Sequence, residues 1–151
     1  MAFGATSKVF AFFVWEMGKG LRKTTNTFKV SLFGNSVVPT NKYATATKAK
    51  TAYHGTTSTW STAHGAGGTT GKVAKTLATI AWTQATAVLK FTAANVSWTS
   101  ATITTAYGCL VYDSTETTYG VSYNSFGGAF TATAGTFAVT WSATGIYKVT
   151  C

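Results

Sequence analysis

ATITTAYGCLVYD, residues 101–113, is the stretch whose reading decides the fold. In an extended chain Tyr107, Cys109 and Val111 share one face and Leu110 and Tyr112 share the other, because successive side chains of a strand point in opposite directions. Apolar character on both faces marks a strand covered on both sides. The segment is therefore predicted to be a central strand. Working outward, STETT reads as a short polar connection, and YGVSYNSF alternates Tyr119, Val121 and Tyr123 with Gly120, Ser122 and Asn124. FGGAFTATAG is expected to reverse the chain, TFAVTW to place Phe137, Val139 and Trp141 inward, and SATG to lead into IYKVTC, so that the C-terminal half forms a meander.

Upstream, KTLATIAW, AVLKFTA and VSWT are three further short runs that favour strands, and in TFKVSLF the residues Phe28, Val30 and Leu32 alternate with Thr27, Lys29 and Ser31, the period of a half-buried strand. The N-terminal KVFAFFVWEMGKG is apolar at nearly every position, and a short helix ending near Gly18 is expected, with Gly20 free to adopt the left-handed conformation that follows a helix. Residues 34–72 read as loops, interrupted by glycines and by the only proline. Turn signals at intervals of about 8 to 12 residues indicate a sandwich or barrel. The prediction is all-β: one domain over residues 1–151, an antiparallel β-sandwich of jelly-roll or Ig-like type with a short N-terminal helix.

Composition agrees. Threonine accounts for 32 of 151 residues, and its β-branched, uncharged side chain suits a pleated sheet with a hydrated face. Charged residues make up only 10%, and the net charge of +9 is uneven: residues 1–75 carry ten of the twelve basic side chains. A field of one sign steers the chain toward acidic partners or serves solubility. The apolar run beginning at Val9 spans seven residues, far short of the ~20 that cross a bilayer, so no membrane span is expected. No leader pattern follows it, and the protein reads as made and used without signal-directed secretion.

Two of the three carboxylates, Asp113 and Glu116, lie in LVYDSTETTYG. A strand-end turn explains both, since aspartate, serine and threonine bond nearby backbone at reversals, whereas acid and base catalysis needs two carboxylates facing one cleft. His54 and His64 match no metal-ligand spacing. GAGGTTGK, residues 65–72, fails the phosphate-loop pattern because Val73 follows Lys72. Cys109 and Cys151 form no CxxC motif and are expected as free thiols. No serine sits in a GxSxG elbow, so no catalytic residue, cofactor or metal is assigned. Of the five tryptophans, Trp60 alone stands in a polar stretch and is a candidate partner contact.

Read in order, GKGLRKTTNTFKVSLFGNS, VSWTSATITTAYGCLVYDSTE, YGVSYNSFGG and GTFAVTWSATGI resemble small virion structural proteins of tailed bacteriophages over roughly residues 18–146. The resemblance is one of packing and turning patterns. It implies a non-enzymatic β-sandwich made in the host cytoplasm and placed on the capsid exterior, a decoration or cement protein that stabilises the shell. Its partner would be the acidic surface of the major capsid protein, with self-association on the lattice. Candidate contacts are Arg22, Lys23, Lys42, Lys48, Lys50 and Trp60. Asn26 departs from the pattern, which has an acid before the TFKV strand. Alternatives are a tail- or neck-associated protein or a host-glycan-binding module; nucleic-acid binding through the basic half ranks below these.

Overall fold

A computed structural model describes residues 8–9, 20, 24–34, 74–115 and 119–150. They form eight strands: β1 (Lys8–Val9), β2 (Phe28–Phe33), β3 (Lys75–Thr76), β4 (Ala81–Ala85), β5 (Val88–Thr92), β6 (Val96–Asp113), β7 (Tyr119–Val139) and β8 (Tyr147–Thr150). All pairings are antiparallel. A five-stranded sheet has the order β1-β7-β6-β2-β3, and a three-stranded sheet the order β4-β5-β8. The fold is all-β, two antiparallel sheets around one core.

As its two-sided apolar pattern predicts, β6 is the middle strand of the larger sheet. Phe28, Val30 and Leu32 of β2 stand opposite Asp113, Val111 and Cys109. These side chains share one face, which Phe28 joins to the smaller sheet by packing on Phe91, ring centroids 5.0 Å apart. Phe91 in turn stacks on Trp82 at 4.4 Å and meets Tyr147. Leu110, Tyr112 and Tyr123 are buried on the opposite face. TFKVSLF is more deeply set than a half-buried strand: Ser31 and Phe33 are buried as well, because β2 lies inside the sheet between β6 and β3.

Five expectations change, the first being that KTLATIAW is not one strand but is divided between β3 in the larger sheet and β4 in the smaller. Lys8 and Val9, at the head of the expected N-terminal helix, lie in a strand paired with Tyr123 and Ser122 of β7. The rest of that helix and residues 35–72 of the expected loop region lie outside the described residues, while Gly20 does have a left-handed φ of 69°. VSWT is no separate strand but the start of the 18-residue β6. FGGAFTATAG does not reverse the chain, since β7 runs through it for 21 residues against β6. The C-terminal half is no simple meander either: β8 leaves β7 and crosses to the smaller sheet beside β5.

The β6–β7 hairpin keeps its pairing along its length by absorbing extra residues in bulges. Ala106 to Gly108 of β6 lies opposite Phe130 to Ser125 of β7, where Gly127 has φ of 76°. Further register shifts accompany positive φ at Ser100 and Ala134. Bulges bend a strand and increase its twist. The consequence is large. Phe126 and Phe137 are eleven positions apart, about 36 Å along a straight strand, yet their ring centroids lie 6.2 Å apart. The hairpin is folded over on itself, which wraps Ala101, Ile103 and Ala106 into the core at 0% exposure.

At the open end of the hairpin the two sheets are tied together. Trp141 donates from its indole Nε1 to the Ala94 carbonyl at 3.0 Å and from its backbone to Asn95 Oδ1. A tight turn from Ser142 to Gly145 then feeds β8, with Ile146 N–H bonding the Phe91 carbonyl. Gly145 is required there: its φ is 89°, and an added Cβ would lie 2.5 Å from the Phe91 oxygen.

Candidate functional site

The fold in β7 opens a cleft of about 390 Å³ on the outer surface of the hairpin, lined by Phe126, Phe130, Thr131, Thr136, Phe137 and Val139 with their neighbours. Phe126 meets Phe130 edge-on at 6.0 Å, and Phe137 rests edge-on against the buried Trp98 at 6.1 Å. Edge-to-face contacts of this kind fix ring orientation and stiffen the wall. Phe130 is half exposed, the only large exposed hydrophobic side chain among the described residues. Among the described residues the lining consists of aromatic rings, aliphatic carbon and threonine hydroxyls, with no titratable side chain. Such a surface holds an apolar or neutral polar group.

Asp113, the one described carboxylate, serves elsewhere. It ends β6 fully buried, accepts from Asn26 Nδ2 at 2.7 Å through Oδ2, and accepts from the Thr115 backbone N–H at 2.9 Å through Oδ1. Around it, Ser114 donates from both backbone and hydroxyl to the Thr27 carbonyl, while Thr27 N–H donates to Thr115 Oγ1. This latch closes the strand end as the DST sequence predicts for a turn. It also accounts for Asn26. An amide can donate to the buried carboxylate, whereas an acid at position 26 would set two carboxylates against each other.

Cys109 is a free, buried thiol pushed up to about 12 by burial, an effect that the Asn124 side chain partly offsets by hydrogen bonding. A neutral, enclosed thiol is inert. Burial likewise raises the Tyr147 and Tyr112 hydroxyls, with Ser31 drawing Tyr112 back down. A second cleft of about 250 Å³ lies between the β1–β7 edge and the start of β8, lined by residues including Val9, Asn124, Tyr147 and Lys148.

The predicted contacts Arg22, Lys23, Lys42, Lys48, Lys50 and Trp60 all lie outside the described residues, as do Glu116, His54, His64, Cys151 and residues 65–72. Among the described residues no group of His, Cys, Asp or Glu is placed to hold a metal, and no helix is long and apolar enough to cross a membrane. Sequence reasoning missed the Phe126–Phe130–Phe137 cleft, having read FGGAF as a turn. One signal was present: from Thr117 to Tyr147 the chain has no charged residue. No family model, curated protein or solved structure matches the chain.

Proposed function

We propose that this chain is a non-enzymatic structural protein of a tailed-phage particle, a decoration or cement subunit that binds the capsid shell and stabilises it. In this reading the two sheets form a β-sandwich of jelly-roll or Ig-like type. The observation that carries it is the division of labour between Asp113 and the aromatic cleft. The described carboxylate is committed to closing a strand end, while the open surface is a neutral aromatic wall suited to gripping a neighbour. The described parts of the stretches that resemble virion proteins include the core-building strands β2, β6 and β7. Small subunits bound at many lattice positions act together, so modest contacts add up to a tight collar.

In this reading the basic side chains Arg22, Lys23, Lys42, Lys48 and Lys50, with Trp60, face the acidic surface of the major capsid protein. Protein composition and imaging of purified particles test the proposal. The expected result is stoichiometric protein on the shell exterior; its absence from particles ends the proposal, and density at the neck or tail moves it there. A second reading, binding of host glycans, is favoured by the exposed Phe130 ring beside threonine hydroxyls. A glycan array with Trp60→Ala and Phe130→Ala controls tests it, and no signal for the unsubstituted protein removes it.

A further inference from the structure

We propose that the outward face of the smaller sheet docks an acidic protein surface, with one carboxylate of the partner bridging Lys90 and Lys148. The inference deepens the reading above and rests on it in one respect, that the partner is a protein.

Register builds this surface. Trp82, Phe91 and Tyr147 stand opposite one another across β4, β5 and β8 and turn inward, where Phe91 meets Phe28 of the larger sheet. The adjacent row, Thr83, Lys90 and Lys148, therefore points away from the core, because successive residues of a strand alternate between faces. Both ladders pair residue for residue, with no bulge between Ala81 and Ala85 or between Tyr147 and Thr150. In the row beyond, Ala85 and Thr150 are short and exposed, which leaves the ammonium groups open to approach.

Charge selects the partner. Lys90 and Lys148 sit directly opposite each other on strands about 4.8 Å apart, and like charges so placed are destabilising. Asp113, the one described carboxylate, is held in the latch by Asn26 and Thr115, so no acid among the described residues neutralises the pair. A carboxylate from outside, seated between the two ammonium groups, removes their repulsion and gains two charge-assisted hydrogen bonds. Shape adds a second hold. Lys148 also lines the cleft of about 250 Å³ with Ser122, Asn124 and Thr144, a polar recess beside the pair for a neighbouring side chain of the partner. Nucleic acid fits this face less well, since tight duplex binding draws on about 6 to 10 phosphate contacts and the row supplies two cations.

Fluorescence anisotropy of a labelled oligoglutamate peptide, titrated with the purified chain at low salt, tests this with Lys90→Gln, Lys148→Gln and the double variant. Lys29→Gln, on the larger sheet, is the control. Either single substitution should weaken binding about fivefold with far-ultraviolet dichroism unchanged, while the control should change it by less than about twofold. The double variant should bind little worse than either single one, because a bridging carboxylate needs both cations at once. No measurable binding overturns the proposal, as do equal losses at all three lysines, additive losses at Lys90 and Lys148, or tighter binding of a duplex oligonucleotide than of the peptide. Because the assay uses isolated protein, its failure is distinct from failure of the virion reading, which particle composition decides.

Discussion

The two ends of the β6–β7 hairpin are built from the same two strands and pair in the same way, yet they solve opposite problems. Near Asp113 and Tyr119 the hairpin lies between β2 and β1, and Cys109, Leu110, Val111 and Tyr112 are all buried in succession. Toward Val96 and Val139, β7 turns Thr131, Thr133, Thr136 and Ala138 to the outside, while Phe137 and Val139 point in. What differs is the number of layers covering the strand. A residue between two covered faces is apolar whichever way it points, and one on a single-covered ribbon follows the two-residue period.

Substitution of Leu110 tests that contrast most severely. Leu110→Ala is expected to lower stability by about 3 kcal/mol, because a cavity opens in a close-packed layer, while Thr131→Ala on the outer ribbon stays within about 0.5 kcal/mol. Urea unfolding of both variants checks it, and equal costs would erase the distinction between the ends. The polar latch at the buried end comes next. Asn26→Asp should cost about 2 kcal/mol at neutral pH, since a buried donor becomes a like charge, and the loss should shrink as pH falls below the ordinary carboxylate range. Denaturation midpoints at pH 7 and pH 3 give the comparison.

Alkali should also strike the buried end. Cys109 has a folded pKa of about 12 against an ordinary value of 9.0, so above pH 9 the unfolded chain gives up a proton that the folded chain retains. Stability therefore falls as pH rises from about 9 to about 12, by about 1 kcal/mol per unit. The raised Tyr112 and Tyr147 hydroxyls add in the same sense at higher pH. Cys109→Ala should flatten the first part of that slope in pH-dependent melting curves. At the bent end, Ala134 holds a φ of 48°, and Ala134→Gly should gain about 0.5 to 1 kcal/mol by removing that strain. The smallest effect lies in the other sheet. Lys90 and Lys148 stand directly opposite each other, and Lys148→Glu should gain about 0.5 kcal/mol at low salt.

The buried end was readable because its evidence is local. Alternation in TFKVSLF and the two-sided apolar run ending at Tyr112 identify β2 and β6 without reference to anything distant. Asp113 followed by Ser114 and Thr115 likewise announces a turn. The bent end was misread because glycine serves reversals and bulges alike. Whether Gly127 ends a strand or bends it depends on β6 continuing alongside, some twenty residues earlier in the chain. The crossing of β8 was hidden for the same reason, since IYKVTC fits beside β5 as well as beside β7. Phe126, Phe130 and Phe137 become neighbours only after the bend, so no spacing rule joins them. The proposed shell contacts rest on charge asymmetry and resemblance, signals that carry no geometry.

Sheet closure by β8 sets an order of events during synthesis. Phe91 pairs with Tyr147, fifty-six positions later, and the whole β6–β7 hairpin is translated between them. A nascent chain thus presents Trp82 and Phe91 uncovered until that hairpin has emerged from the ribosome and Gly145 has swung β8 into place. Completion of the smaller sheet is a late step, and the interval before it is when chaperones have most to shield.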